Sequence, residues 1–212
     1  MKRKYISVDI ESTGRTPGKY SMIALGAAVV GDTKKTFYRE LKPINNNFSL
    51  EALKIGSLGL KCLEDLKKED PIYDPESKEF QPKKVLELLD EMGQSPYQVM
   101  HEFRLWIGQV ARDQRPVMAA APIAFDGMYV HWYFDNFLEG DQDPFGHGGD
   151  DINSWLRGAT NDPDHNLTKL GLRKNKPKTH NALEDAMQQA EEFEFILGMD
   201  AFNRSKAKKL SR

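Results

Sequence analysis

Cysteine is nearly absent. Cys62 is the one cysteine in 212 residues, which excludes an internal disulfide and any cysteine-based zinc site. Such sparse usage fits a reducing, cytoplasmic setting. Long apolar runs are also missing. The longest, Ile23 to Val30, is too short to cross a bilayer, so no membrane partner is expected. The chain opens on Lys2-Arg3-Lys4, but Asp9 and Glu11 interrupt any apolar stretch behind it, which argues against a secretion signal. There is no excess of charge of one sign. Lys and Arg number 30 against 32 Asp and Glu, a net charge of −2, which excludes a wholly basic coat for nucleic acid but not a local basic patch. No internal repeat or low-complexity tract is present. Gly146-His147-Gly148-Gly149 lacks the Lys-Ser/Thr that completes a phosphate loop, so nucleotide binding of that kind is not supported.

What remains reads as one α/β domain. Hydrophobic residues make up 39% and charged residues 29%, ordinary for a folded soluble chain. Tyr5 to Glu11 is β-rich and stops at Ser12-Thr13-Gly14. Met22 to Val30 follows and ends at Gly31-Asp32, and Thr36 to Leu41 returns, giving an antiparallel three-strand meander. Asn47 or Ser49 caps a short helix from Leu50 to Ile55, halted at Gly56. Residues 60–82 are charge-rich and carry Pro71, Pro75 and Pro82, so they read as a loop-like insertion. Val85 to Leu89 suggests a short helix, and Ser95-Pro96 opens a longer one with apolar residues at helical spacing from Val99 to Val110. Val117 to Ile123 reads as a buried strand, Tyr129 to Leu138 as an aromatic helix, and 140–151 as loop. Helices are expected from Ile152 and over Ala182 to Leu197. Residues 1–200 thus form the domain, and 201–212 a basic, frayed tail. The fold class is α/β, with a mixed central sheet flanked by helices.

Three acidic segments carry chemistry. Asp9 and Glu11 stand two apart on a strand, so they share a face about 6.6 Å apart. Two carboxylates there repel unless a cation sits between them, and hard cations such as Mg²⁺ and Mn²⁺ favour carboxylate oxygen. An ordinary solvated strand is the alternative. Asp74-Pro75-Glu76 repeats the spacing, but in a proline-rich loop with no scaffold. Asp126, in Ala124-Phe125-Asp126-Gly127, sits where a strand hands over to a helix and either caps that helix or faces the same site. Asp185 lies about one turn into the last helix, with His180 just before it. The two converge only if His180 is on the loop, with Thr179 or Asn181 as cap; an ordinary capping loop is the alternative.

Together these blocks resemble the DEDDh (DnaQ-like) family of 3′–5′ exonucleases, whose fold is ribonuclease H-like. Asp9-Ile10-Glu11-Ser12-Thr13-Gly14 looks like the first family block, and Phe125-Asp126 like the second. His180-Asn181-Ala182-Leu183-Glu184-Asp185-Ala186 looks like the third, and all occur in the family's order. The resemblance covers most of residues 4–198. One departure is Ala121-Pro122, where many members carry His-Asn.

The resemblance implies that Asp9, Glu11, Asp126 and Asp185 hold two divalent cations, Mg²⁺ or Mn²⁺, and that His180 is the general base. An imidazole, with an ordinary pKa of about 6.5, suits that work near neutrality. It also implies hydrolysis from the 3′ end of single-stranded DNA or RNA, releasing nucleoside 5′-monophosphates. Ser12 and Thr13 would lie near the terminal sugar, and Phe125 beside a base. Arg173, Lys174, Lys176 and Lys178 would steer phosphates or simply be solvated; Lys178 is the substrate contact expected among them. Some relatives are homodimers and others polymerase subunits, so a homodimer or a protein partner stays open. A catalytically silent nucleic-acid-binding module on the same fold is the rival reading. His147 with Asp150 and Asp151 makes a poor metal site on so glycine-rich a loop, and His131 and His101 are expected to be packing or surface residues.

Overall fold

The computed structural model describes residues 2–140, 142–172 and 179–210, with the backbone alone for 201–210. One five-stranded sheet organises the chain, in the order β3-β2-β1-β4-β5. Strands β1 (Arg3–Ser12), β2 (Met22–Val29) and β3 (Asp32–Glu40) form the expected antiparallel meander. β4 (Arg115–Ala120) pairs parallel to β1, and β5 (Gly149–Asp151) parallel to β4. β2 is buried along its whole length, because both faces are covered by helices.

The helices begin with α1 (Leu50–Ser57), followed by the one-turn α2 (Leu66–Glu69), and α3 (Pro82–Met92). Next is α4 (Pro96–Ala111), opened by Ser95, whose hydroxyl accepts from the Gln98 N–H, with Pro96 in the first turn. α5 (Ile123–Phe137), α6 (Ile152–Thr160), the short α7 (Leu167–Leu170) and α8 (Ala182–Leu210) complete the chain. Among the described residues, no helix is long and apolar enough to cross a membrane.

α4 and α5 cover one face of the sheet, and α8 covers the other. β1 divides its side chains accordingly. Ile6, Val8 and Ile10 enter the core beneath α4 and α5, with Phe103, Tyr129, Tyr133 and Phe134. The intervening Ser7, Asp9 and Glu11 belong to the opposite face, by the two-residue period of a strand. α1, α3 and residues 60–80 gather a second core over Ile23, Ala24 and Ala182.

Four boundaries differ from the sequence-based expectation. β4 stops at Ala120 and α5 starts at Ile123, six residues before Tyr129. Asp126 therefore sits inside the first turn of the helix and does not cap it. Residues 149–151, expected as loop, form β5; backbone pairing with Met118 to Ala120 holds this strand, and Asp151 then caps α6. Residues 60–82 are not plain loop: Lys61–Leu63 and Pro71–Tyr73 form 3₁₀ turns around α2, and Leu60, Leu63 and Phe80 are buried. The last helix runs on to Leu210, past the expected end at Leu197.

Gly26 sets where α8 lands. It pairs with Asp9 across β1 and β2, and a Cβ on it would lie 2.2 Å from the Ala182 carbonyl. Only glycine lets the start of α8 rest directly on the sheet beside Asp9. Gly26→Ala is expected to lower Tm by about 3–10 °C, from an overpacking cost of about 1–3 kcal/mol in a domain of this size. A thermal melt within 1 °C of wild type would refute this close approach.

Candidate active site

β1 outruns its partner. The β1–β4 pairing ends at Ser7 opposite Ala119, and beyond it the Ile10 N–H donates to Asp126 Oδ1 at 3.1 Å. The first turn of α5 thereby brings Asp126 to the strand end that carries Asp9 and Glu11. α8 brings the rest from the opposite side of the sheet. Asn181 caps it, its Oδ1 accepting from the N–H groups of Leu183 and Glu184 at 3.1 and 3.2 Å. Asp185 follows one turn later, and its Oδ1 accepts from the Thr179 N–H at 3.4 Å.

His180 is on the loop before the cap, with φ +53, a left-handed conformation that side chains with a Cβ rarely adopt. From there one ligand atom each of His180, Glu11 and Asp185 lie within 4.8 Å of one another. Asp9, Glu11, Asp126 and Asp185 are all buried, at most 7% exposed. Ionised carboxylates brought together at one buried strand end repel one another unless a cation sits among them. Carboxylate oxygens are what a hard divalent cation binds, so these residues fit such an ion, with the imidazole standing beside them.

Gln189 escaped the sequence reading. One turn beyond Asp185 on α8, it donates from Nε2 to Asp9 Oδ1 at 2.7 Å, while its buried Oε1 has no hydrogen-bond partner among the described residues. Its spacing of four from Asp185 was the available signal, since i and i+4 share a helix face. Gly56, at the end of α1, packs against the Ser12 carbonyl and Glu11 Oε2; a Cβ there would meet them at 3.1 and 3.4 Å.

The expected substrate contacts fall differently. Ser12 is buried and its hydroxyl donates to the Gly14 carbonyl at 2.7 Å. Thr13 is fully buried; its hydroxyl donates to the Asn47 carbonyl and accepts from the Ser21 N–H, which closes the β1–β2 loop and ties it to the loop before α1. Phe125 is half-buried beside Asp126, its ring 5.4 Å from that of Tyr129. Tyr129 donates to the Gly14 carbonyl at 2.7 Å, and burial pushes its phenol up to about 12. Lys178, with Arg173, Lys174 and Lys176, lies outside the described residues.

The decoy site has other work. Asp150 faces Arg3 at 3.5 Å, and Asp151 accepts from Ser154 and from the Ile123 N–H. His147 is exposed, and His131 pairs with Asp143.

No family model matches the sequence. The chain is 32% identical over 201 residues to a 3′–5′ DNA exonuclease of Escherichia coli, Cap18, with 92% of each chain covered. Its fold is similar to E. coli Exonuclease I in complex with a dA13 oligonucleotide, with a TM-score of 0.52 and 11% identity over 89% of this chain. That match spans 39% of the Exonuclease I chain. It is also similar to S. pombe Pop2p in a form with Mg²⁺ and Mn²⁺ bound, with a TM-score of 0.54 and 14% identity over 91% of this chain and 82% of that one. The identity to Cap18 along nearly the whole of both chains, on a fold shared with these nucleases, makes this chain a member of the DEDD family of ribonuclease H-like 3′–5′ exonucleases.

Proposed function

We propose that the chain is a single-domain DEDDh exonuclease that removes nucleotides from the 3′ end of single-stranded DNA, using divalent cations and His180 as general base. The observation that carries this reading is the convergence of Glu11, His180 and Asp185 within 4.8 Å, beside Asp9 and Asp126. The identity to a DNA exonuclease and the fold shared with an oligonucleotide-bound nuclease support DNA as substrate.

Asp9, Glu11, Asp126 and Asp185 would hold the ions, two of them in the family's manner and Mg²⁺ or Mn²⁺ by donor chemistry. Such ions supply Lewis-acid stabilisation of the phosphoryl oxygens and lower the pKa of water. The chain's own residues do the rest. A ring nitrogen of His180 takes the proton of the attacking water. Gln189 holds Asp9 Oδ1 and so fixes the rotamer that presents the other carboxylate oxygen. Ser12 and Phe125 flank the carboxylates, where a terminal nucleotide would lie. Thr13 acts through the loops it ties together, since its hydroxyl is already engaged on both sides.

Gln189→Ala is expected to weaken Mn²⁺ binding by about 10-fold or more, the usual effect of losing a group that orients a metal ligand. Titration calorimetry checks this, and wild-type affinity in the variant would contradict it. The substrate assignment is tested by offering the protein linear single-stranded DNA, a circle of the same sequence and the matching RNA, with Mg²⁺ or Mn²⁺ and with EDTA. Shortening of linear DNA alone, abolished by EDTA, is the expected result. Cutting of the circle would mean an endonuclease. No cleavage of any strand despite metal binding would favour a silent binding module.

A further inference from the structure

We propose that residues 58–62 form a shelf that aims the His180 imidazole, with Gly59 and Asn181 as its positioning residues. The inference rests on His180 being the proton acceptor, and it gives the start of the charged 60–82 segment a task.

Shelf and loop meet backbone to backbone. A Cβ on Gly59 would lie 2.4 Å from the His180 carbonyl oxygen and 2.5 Å from the Asn181 nitrogen, so no residue but glycine fits without moving the loop. Asn181 fastens the contact. Its Nδ2 donates to the Gly59 carbonyl at 2.7 Å while its Oδ1 caps α8, so one amide ties the helix start to the shelf. The left-handed backbone of His180 needs such restraint on both sides, because surrounding contacts must hold an unfavoured φ in place. An open cavity of about 220 Å³ lies between the shelf and the loop, lined by Gly59, Leu60, Lys61 and Glu64 on one side and by Thr179, Asn181 and Glu184 on the other. Backbone contact at Gly59 and the Asn181 hydrogen bond are thus what seat the loop on the shelf beside this gap.

The shelf itself is anchored to the sheet. Glu40, at the end of β3, accepts from the Lys61 and Cys62 N–H groups at 2.5 and 3.2 Å, and Tyr38 donates to the same carboxylate. Leu60 and Leu63 are buried, and Lys67 Nζ donates to the Leu58 carbonyl at 3.0 Å. A run thus leads from β3 through the shelf to the backbone that carries the imidazole. A shift of about 1 Å at a reacting group can cost about 10²-fold in rate, so the shelf acts on turnover without touching substrate.

The test compares Gly59→Ala and Asn181→Ser with wild type on single-stranded DNA. Serine still caps a helix but cannot reach the Gly59 carbonyl. Both variants are expected to lose about 30- to 100-fold in kcat, with KM and Mn²⁺ affinity within about three-fold. Combined with His180→Ala, Gly59→Ala should cost no more than about three-fold further, because both act through one group. Wild-type kcat in the two variants would overturn the shelf. So would an equal further loss in the His180→Ala background, or a loss that merely follows the folded fraction seen by circular dichroism. His180→Ala at wild-type rate would remove the general base and the shelf with it. A slow His180→Ala beside fast Gly59→Ala and Asn181→Ser would remove the shelf alone.

Discussion

Asp185→Asn is expected to lower kcat on linear single-stranded DNA by about 10³-fold or more. Asparagine keeps the size of the side chain, and its carbonyl can still accept from the Thr179 N–H. What it loses is a full negative charge among the groups that meet within 4.8 Å. Metal stabilisation of a transferring phosphoryl group is worth several kcal/mol, and each 1.36 kcal/mol is tenfold in rate, so about 4 kcal/mol lost gives the stated factor. Tm should change by only a few degrees, because the helix cap and the core under α8 are untouched. Steady-state hydrolysis with a parallel melt checks both halves. A rate within tenfold of wild type, in a folded variant, would remove Asp185 from the site.

His180→Ala should cost about 10²- to 10⁴-fold in kcat, the usual worth of a positioned general base. The carboxylates keep their places, so Mn²⁺ affinity should stay within a few-fold. The residual rate should climb with pH, since hydroxide then substitutes for the missing base. A variant equally slow at every pH would point to a structural rather than a proton-accepting role. The two substitutions therefore separate ion holding from proton transfer.

Much of this site was legible in the chain. The alternation of Ile6, Val8 and Ile10 with Ser7, Asp9 and Glu11 announces a strand with one apolar and one polar face, and the fold keeps it. Asn181 was one of two candidate caps and is the one used, because its side chain reaches two of the free N–H groups of the first turn. His180 had to be on the loop for convergence, and it is.

The misses have physical causes. β5 has no β-branched residue, and a three-residue strand forms only because β4 offers it a partner. The apolar run from Val117 to Ile123 looked like one strand, yet Pro122 breaks it: the strand stops at Ala120 and α5 opens just after the proline, which leaves Asp126 inside the helix and not at its cap. Gly26 and Gly59 each matter through a backbone that arrives from a distant part of the sequence, and a single chain read locally holds no trace of that approach.

The central claim is that one carboxylate and histidine site removes nucleotides from 3′ ends with the help of divalent cations. The most direct test is a time course on 5′-labelled single-stranded DNA with Mn²⁺, with wild type and Asp185→Asn side by side. The account predicts a ladder of products shortening from the 3′ end for wild type and an intact strand for the variant. The same ladder from both proteins, or release of the 5′ label as a mononucleotide at the first time point, would contradict it.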